Sequence, residues 1–273
     1  MIVLVTDSTA YLTRQEAKAL GVVQVPMTYT YEGRTLYSEG YIDEDDTMLS
    51  TVAEGVVHYS TAQASLAAFT STLEDILADG NQAIVITISS RLSGTCANAR
   101  KAAQELNSDN IAVVDSKATA GALYLLIAKA RQWIDQGLSL SEVVEKIREA
   151  RDKTRTFFSV EDMEPLRRSG RLNFVRLSVS TILNIRPILK LTSGGVNAYG
   201  MARGHHEQLR ILEGAVSNYQ APVVVQHNRA DGLAGQLAQR LRDKGVPVME
   251  RLLGPVLTIH LGNGCLSVAW IEA

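Results

Sequence analysis

The feature that most constrains this chain is a set of short, uninterrupted apolar runs, each followed by a polar bend and then by a helical period. "IVLV" (2–5), "AIVITI" (83–88) and "IAVVDS" (111–116) lack the polar alternation of a half-solvated strand. Runs of this kind fit strands covered on both faces, as in a parallel sheet between two layers of helix. Helical periodicity fills the spaces between them. "RQEAKAL" (14–20) stops at Gly21, "SLAAFTSTLEDILADG" (65–80) stops at Gly80, and another helix runs from about Gly94 to Leu106. "GALYLLIAKARQWIDQG" (121–137) and "SLSEVVEKIREARDK" (139–153) complete this half, the latter opened by Ser139 and Glu142 at capping-box spacing.

The alternation breaks down after about residue 154. "TRTFFSV" (154–160) reads as a strand, and "EPLRRSGRLN" as a basic turn and helix. "TILNIRPILKL" (181–191) is apolar and interrupted by Pro187, and "GGVNAYGMA" (194–202) reads as a hairpin turn entering a strand. Helix "HHEQLRILEGAVSNY", strand "PVVVQH", helix "DGLAGQLAQRLRDKG" and strand "VPVMERL" follow. "GPVLTIH" and "LSVAWIEA" both look strand-like with no helix between, which predicts a partly antiparallel sheet. The expected architecture is two α/β domains with a cleft between them. Residues 1–154 would carry a mainly parallel sheet and residues 155–273 a mixed one. In the first, "VVQVPMTYTY" (22–31) is expected to be extended, with an edge or a bend at Pro26.

Charge and composition exclude several classes. With 46% hydrophobic and 21% charged residues, a formal net charge of -2 and no basic run of five, the chain is not built to bind nucleic acid. "MIVLVTDSTA" has neither the charged nor the apolar region of a signal peptide, and no apolar run reaches the ~18 residues of a membrane span. Cys96 and Cys265 lie far apart and outside any CxxC, the pattern of reduced thiols in a cytoplasmic protein. None of His58, His205, His206, His227 and His260 has metal-motif spacing, so no metal is expected. The acidic run "DEDD" (43–46) reads as acids at a helix N-terminus.

The chemistry concentrates in "ITISSRLSGTCANA" (86–99), where a buried strand enters a hydroxyl-rich bend around one glycine. The loop falls at the carboxyl end of the sheet, where open α/β sheets bind ligands. Gly94 allows close backbone approach, the next helix offers free N–H groups to an anion, and Ser90, Ser93 and Thr95 add hydroxyls. An N-cap at Ser93 with no ligand explains the same residues equally well. A nucleophile elbow would need a glycine where Arg91 stands, and a Walker A loop a lysine after Gly94. Similar groups follow other strands: Asp7, Ser8 and Thr9, then Asp115 and Ser116, with Ser60, Thr61, Gln63 and Ser65 ahead of a helix. Each could be a helix cap, but together they would line one crevice. His260, between an apolar segment and a glycine-flanked turn, could face that cleft or be an ordinary structural histidine.

In order along the chain, "VTDSTAYL", "STAQAS", "ISSRLSGTCANA", "VVDSKATAG", "MEPLRRSGRLN", "ILNIRPIL" and "GPVLTIHLGNG" resemble the DegV family of bacterial fatty-acid-binding proteins, the acyl-carrying subunits of fatty acid kinases. The resemblance implies two α/β domains, a fatty acid carboxylate near the interdomain cleft and its tail in an apolar tunnel of the second domain. It implies no catalytic residue and no cofactor beyond the bound lipid. By motif, Thr61 and Ser93 would hydrogen-bond the carboxylate, assisted by Gly94 and the adjoining Thr95, with His260 and Arg203 near the head group. Arg167, Arg168 and Arg171 would meet a partner kinase subunit, which would phosphorylate the acid to an acyl phosphate for phospholipid synthesis. The sequence departs from the family at Ala62 and Ala64, within its usual T-S-Q-P-S, and at Thr258, Leu261 and Asn263 in the terminal motif; Cys96 stands where an aromatic is common.

Transfer of roughly 0.8 kcal/mol per buried CH₂ makes a dozen methylenes worth on the order of 10 kcal/mol. A hydrogen bond to a charged carboxylate nets about 1.5–3 kcal/mol. The tail would therefore set affinity and the hydroxyls orientation, with "FVRLSVSTILNIRPILKL" as the lining. The alternative is a dihydroxyacetone-kinase-like protein in which His260 holds a small polar ligand. A serine hydrolase acting through Ser93 ranks third.

Overall fold

The computed structural model describes residues 1–43, 46–172 and 184–273. The chain opens with β1 (Ile2–Asp7), α1 (Arg14–Leu20) and β2 (Val22–Val25). It then leaves for a small antiparallel sheet: β3 (Thr28–Tyr31), β4 (Thr35–Ser38) and, after α2 (Asp46–Glu54), β5 (Tyr59–Ala62). The chain returns through α3 (Leu66–Ala78), β6 (Gln82–Thr87), α4 (Thr95–Leu106), β7 (Ile111–Asp115), α5 (Ala120–Asp135) and α6 (Leu140–Asp152). The main sheet of this half has the order β2-β1-β6-β7, every neighbour parallel, as its doubly buried strands require.

The second half contains β8 (Thr154–Ser159), α7 (Glu164–Ser169), β9 (Ile185–Thr192), β10 (Gly195–Arg203), α8 (Gly204–Ala215), β11 (Tyr219–His227), α9 (Asp231–Asp243), β12 (Val248–Leu252), α10 (Pro255–Leu261) and β13 (Leu266–Glu272). Its sheet order is β10-β9-β8-β13-β11-β12, antiparallel except for the β11–β12 pair. The mixed sheet expected here is present. Pro187 lies inside β9, where pairing with β8 has already ended at Ser159–Ile188, so its missing N–H disturbs no bond on that side.

Two local expectations are corrected. "GPVLTIH" is the short helix α10, not a strand: Gly254 precedes Pro255 at the first helical turn, and all of it but His260 is buried. A brief run apolar on every side suits a buried helix as well as a buried strand, so periodicity alone cannot separate them. "VVQVPMTYTY" is two strands in two different sheets, parted at Pro26, and the small sheet it begins was not anticipated.

α5 joins the halves. Its residues Ala120 to Ile127 are buried without a break, packed with Leu4, Ile84 and Ile86 on one side and with Val224, Ala269 and Ile271 of the mixed sheet on the other. Gly121 permits the approach, since a Cβ there would stand 3.0 Å from Val224 Cβ and closer still to its methyl group. A further apolar cluster, including Phe158, Leu166, Leu189, Val196, Leu257 and Cys265, lies where the loops of the parallel sheet face β8, β9 and α10. The candidate site opens within this cluster.

Candidate functional site

A cavity of about 270 Å³ occupies the cleft. Its walls are mostly apolar, with Ile88, Ala120, Phe158, Leu191, Val196 and Leu257 among them. The polar side chains of Thr61, Gln63, Ser93, Arg171 and His260 also line it, together with Gly94. The loops and helices of both halves therefore contribute to one space.

The register of the small sheet positions Thr61. β5 pairs Thr61 with Tyr29, and the period of two sends Ser60 to the opposite side, where its hydroxyl meets Thr30 at 2.8 Å. Tyr29 stacks on Tyr37 at 5.3 Å and packs against Tyr59, which steadies the strand. Thr61 Oγ1 lies 2.8 Å from Nε2 of His260, at the far end of α10. Burial, reinforced by the charges of Arg171 and Arg168, lowers the His260 pKa to about 4, so the ring is neutral at pH 7. Its Nδ1 is buried with no hydrogen-bond partner among the described residues.

Ser93 and Gly94 sit at the start of α4. Gly94 is the N-cap residue and provides no side chain to bond, so Ser93 is not the simple cap that the sequence allowed. Ser93 Oγ accepts the Thr95 N–H at 3.3 Å and shares a 2.9 Å hydrogen bond with the Thr95 hydroxyl. Gly94 leaves room for the end of the Gln63 side chain, which a Cβ there would displace. The twelve-residue α4 directs its N-terminal dipole toward this side of the cavity.

Other sequence-selected residues fall into supporting positions. Thr95 is fully buried and outside the lining; its hydroxyl accepts the Ala64 N–H at 3.2 Å and braces Ser93 from behind. Arg203 is exposed at the end of β10, where its N–H donates to Glu207, so it does not reach the cavity. Arg167 is exposed and pairs with Glu164 at 2.9 Å, while Arg168 donates to the Val56 carbonyl at 3.2 Å. Arg171, assigned from sequence to a partner surface, instead lines the cavity, held by the carbonyls of Leu92 and Ser169. Sequence position offered one signal for this: Arg171 lies just past the helix-stopping Gly170, where the chain turns back toward the cleft.

The hydroxyl-rich strand ends do not all face one crevice. Asp7, Ser8 and Thr9 are buried: Asp7 accepts the Ile88 N–H at 2.6 Å and the Thr9 hydroxyl at 2.6 Å. Burial pushes the Asp7 carboxyl up from its ordinary value. Asp115 accepts both the N–H and the hydroxyl of Ser90, at 3.1 and 2.5 Å. These carboxylates shape the loop that presents Ser93; they do not themselves line the cavity. Ala64 and Thr258, two departures from the family motifs, are fully buried, Thr258 accepting a bond from Asn228 at 3.0 Å. Glu44, Asp45 and residues 173–183, which include most of the expected lining segment, lie outside the described residues.

The two halves thus enclose an apolar cavity with a hydroxyl, imidazole and guanidinium end. A family model described as "Uncharacterised protein, DegV family" matches residues 1–273, and the chain belongs to that family. A DegV domain-containing protein of Deinococcus radiodurans is 30% identical over 279 residues, covering 98% of this chain and 97% of the relative. One of Halalkalibacterium halodurans is 29% identical, covering 98% of each. A solved DegV family protein of Thermus thermophilus, described by its fatty acid binding, superposes with a TM-score of 0.88 at 28% identity and covers 100% of this chain and 99% of its own.

Proposed function

We propose that the chain binds a long-chain fatty acid with its carboxylate at the Thr61–Ser93–His260 end of the cavity and its tail among the apolar walls. The observation that carries this reading is the joining of the two chemistries in one space: an apolar cavity with the 2.8 Å Thr61–His260 pair, Ser93 and Arg171 on its lining. The fatty acid binding of the Thermus thermophilus relative supports it. With the His260 proton on Nε2, Thr61 accepts from the ring and its own hydroxyl hydrogen is free for a carboxylate oxygen. Ser93 and the start of α4 add donors, and Arg171 supplies a full positive charge. In this reading, residues 1–154 carry most of the head-group loops and residues 155–273 most of the tail walls, with His260 and Arg171 reaching back to the head group.

The same reading makes the protein a non-catalytic cytoplasmic subunit with no cofactor of its own. A separate kinase would dock beside the exposed Arg167 and Arg168 and transfer a nucleotide phosphoryl group to a carboxylate oxygen, giving an acyl phosphate for phospholipid synthesis. Solvent extraction of the purified protein followed by lipid identification tests the binding claim. A recovered fatty acid, or stoichiometric uptake of palmitate by native mass spectrometry, is expected. Recovery of only a small polar ligand, with no uptake of any acyl chain, would replace this reading with the dihydroxyacetone-kinase-like one.

A further inference from the structure

Glu39, just after β4, is 3% exposed, yet its partners among the described residues are neutral. Oε2 accepts the Ser8 hydroxyl at 2.6 Å, and Oε1 accepts the N–H of Val256 at 2.8 Å. The next N–H, of Leu257, donates to the Tyr11 hydroxyl at 3.0 Å. These are first-turn donors of α10, which have no acceptor within their own helix. Two side chains from the first forty residues thus cap a helix more than two hundred residues later. The fit is close, since a Cβ on Gly254 would stand 2.9 Å from Glu39 Oε1 and overlap the Tyr11 ring.

The other end of α10 is fixed as well. His260, one turn on from Val256, meets Thr61 at 2.8 Å. We infer that Glu39, with Tyr11 beside it, is a positioning residue for His260, holding α10 at the depth where its imidazole meets Thr61 inside the ligand cavity. Packing alone gives no reason to bury a carboxyl here; burial, opposed by the bonds from Ser8 and Val256 and aided by the charge of Asp7, pushes it up to about 7. What an apolar residue could not supply is an oxygen at the α10 N-terminus. The effect on ligand affinity rests on the fatty-acid reading above, whereas the effect on the histidine does not.

The test follows the His260 imidazole by NMR titration in the delipidated full-length protein, together with palmitate affinity and thermal midpoint. Glu39→Ala and Tyr11→Phe are expected to move the His260 midpoint up from about 4 by a unit or more toward the ordinary 6.5, as a loosened α10 lets water reach the ring. Both are expected to weaken palmitate binding at least tenfold. Glu39→Gln keeps an oxygen for the Val256 N–H, so it should hold both values within about threefold of the wild type. A purely stabilising role would lower the thermal midpoint in all three and leave the His260 midpoint where it was, and that result overturns the inference. Should Glu39→Ala not fold, Tyr11→Phe decides by the same criterion. If wild-type protein takes up no palmitate, the fatty-acid reading fails by itself and the His260 midpoint still decides the positioning role.

Discussion

The hydroxyl of Ser89 donates a 2.7 Å hydrogen bond to the carbonyl of Gly194, joining the loop after β6 to the tip of the β9–β10 hairpin. Ser89 also accepts the N–H of Arg91, and Arg91 reaches the Ser193 carbonyl at 3.5 Å. The mixed sheet therefore supports, from below, the loop that presents Ser93 to the cavity. A groove between two layers holds a constant width only if such contacts cross it, and a ligand bound there inherits that rigidity.

Gly194 is the buried pivot of this junction. Its φ is +82°, and a Cβ would overlap Ser89 Oγ and stand 3.2 Å from the Lys117 backbone. Gly137 has nearly the same φ, +83°, with nothing within 4 Å of the added atom. Gly137→Ala should cost about 1 kcal/mol, the backbone penalty alone. Gly194→Ala should cost roughly 1–3 kcal/mol more, since the hairpin tip has to move off the loop. Urea unfolding of the pair measures the difference, and only Gly194→Ala should also speed ligand release. Equal stabilities would mean that the hairpin tip does not bear on the loop.

Glu39, capping the first turn of α10, and His260, in its last turn, titrate with opposite effects on stability. The Glu39 carboxyl is raised from 4.5 to about 7, so between those values the folded protein binds its proton and the unfolded chain does not. Stability from this group falls as pH rises through the window. His260 is lowered from 6.5 to about 4, so there the unfolded chain holds the proton and the folded one does not, and stability rises with pH. Between about pH 4.5 and 6.5 the two slopes cancel. Glu39→Gln should therefore become more stable relative to wild type by about 1.4 kcal/mol per pH unit across this window, and His260→Gln less stable by the same slope. Denaturant unfolding at pH 5 and 6 resolves both. Parallel pH profiles for all three proteins would show that neither group is shifted as its burial requires.

Much of this architecture was legible in the sequence because the doubly buried strands and their glycine-stopped helices leave few alternatives. The parallel sheet, the mixed sheet and the capping box at Ser139 follow from local pattern alone. The residues Thr61, Ser93, Gly94 and His260 follow from the resemblance to the family motifs, local pattern leaving a plain cap or a structural histidine equally open, and all four line the cavity. Three things were not readable. α10 is helical because Glu39 and Tyr11 satisfy its first donors, and no window around residues 255–261 contains either. Arg171 and Arg203 carry the same charge on similar turns, and only the packing of α7 against α10 distinguishes the one that enters the cavity. Asp7 and Asp115 resemble ligand residues in sequence, yet both spend their lone pairs on neighbouring backbone and hydroxyls.

Arg251 makes the other long-range clamp between the halves. It is bidentate to Glu16, at 2.5 and 2.8 Å, donates to the Tyr11 carbonyl at 2.7 Å and lies 4.0 Å above the Tyr124 ring. Its side chain is 7% exposed and that of Glu16 is 26%, so the pair lies between the buried and surface limits. Arg251→Met should cost about 2–3 kcal/mol, since Glu16 can partly rehydrate. Arg251→Lys should recover less than half, because an ammonium cannot form the fork to Glu16 or stack on Tyr124 in the same pose. Chemical denaturation distinguishes these; a lysine variant as stable as wild type would reduce the clamp to simple charge pairing.

The tail walls make the sharpest quantitative claim about the ligand. If the chain is held by burial, each added methylene should tighten binding about fourfold, the equivalent of 0.8 kcal/mol, until the cavity is full, and then add nothing. Val196, on β10, is 4% exposed and lines the cavity, so Val196→Phe fills part of it from one wall. The variant should keep the fourfold increments for short acids, where the head-group contacts and the nearest walls are unchanged, and reach its plateau at a shorter chain than the wild type. Calorimetric affinities for a series of saturated acids, from octanoate upward, measure both plateaus. An affinity that ignores chain length in the wild type would mean that the apolar walls are core and not a seat for an acyl tail. A plateau that does not move in Val196→Phe would place the tail along other walls, past Phe158 and Leu257.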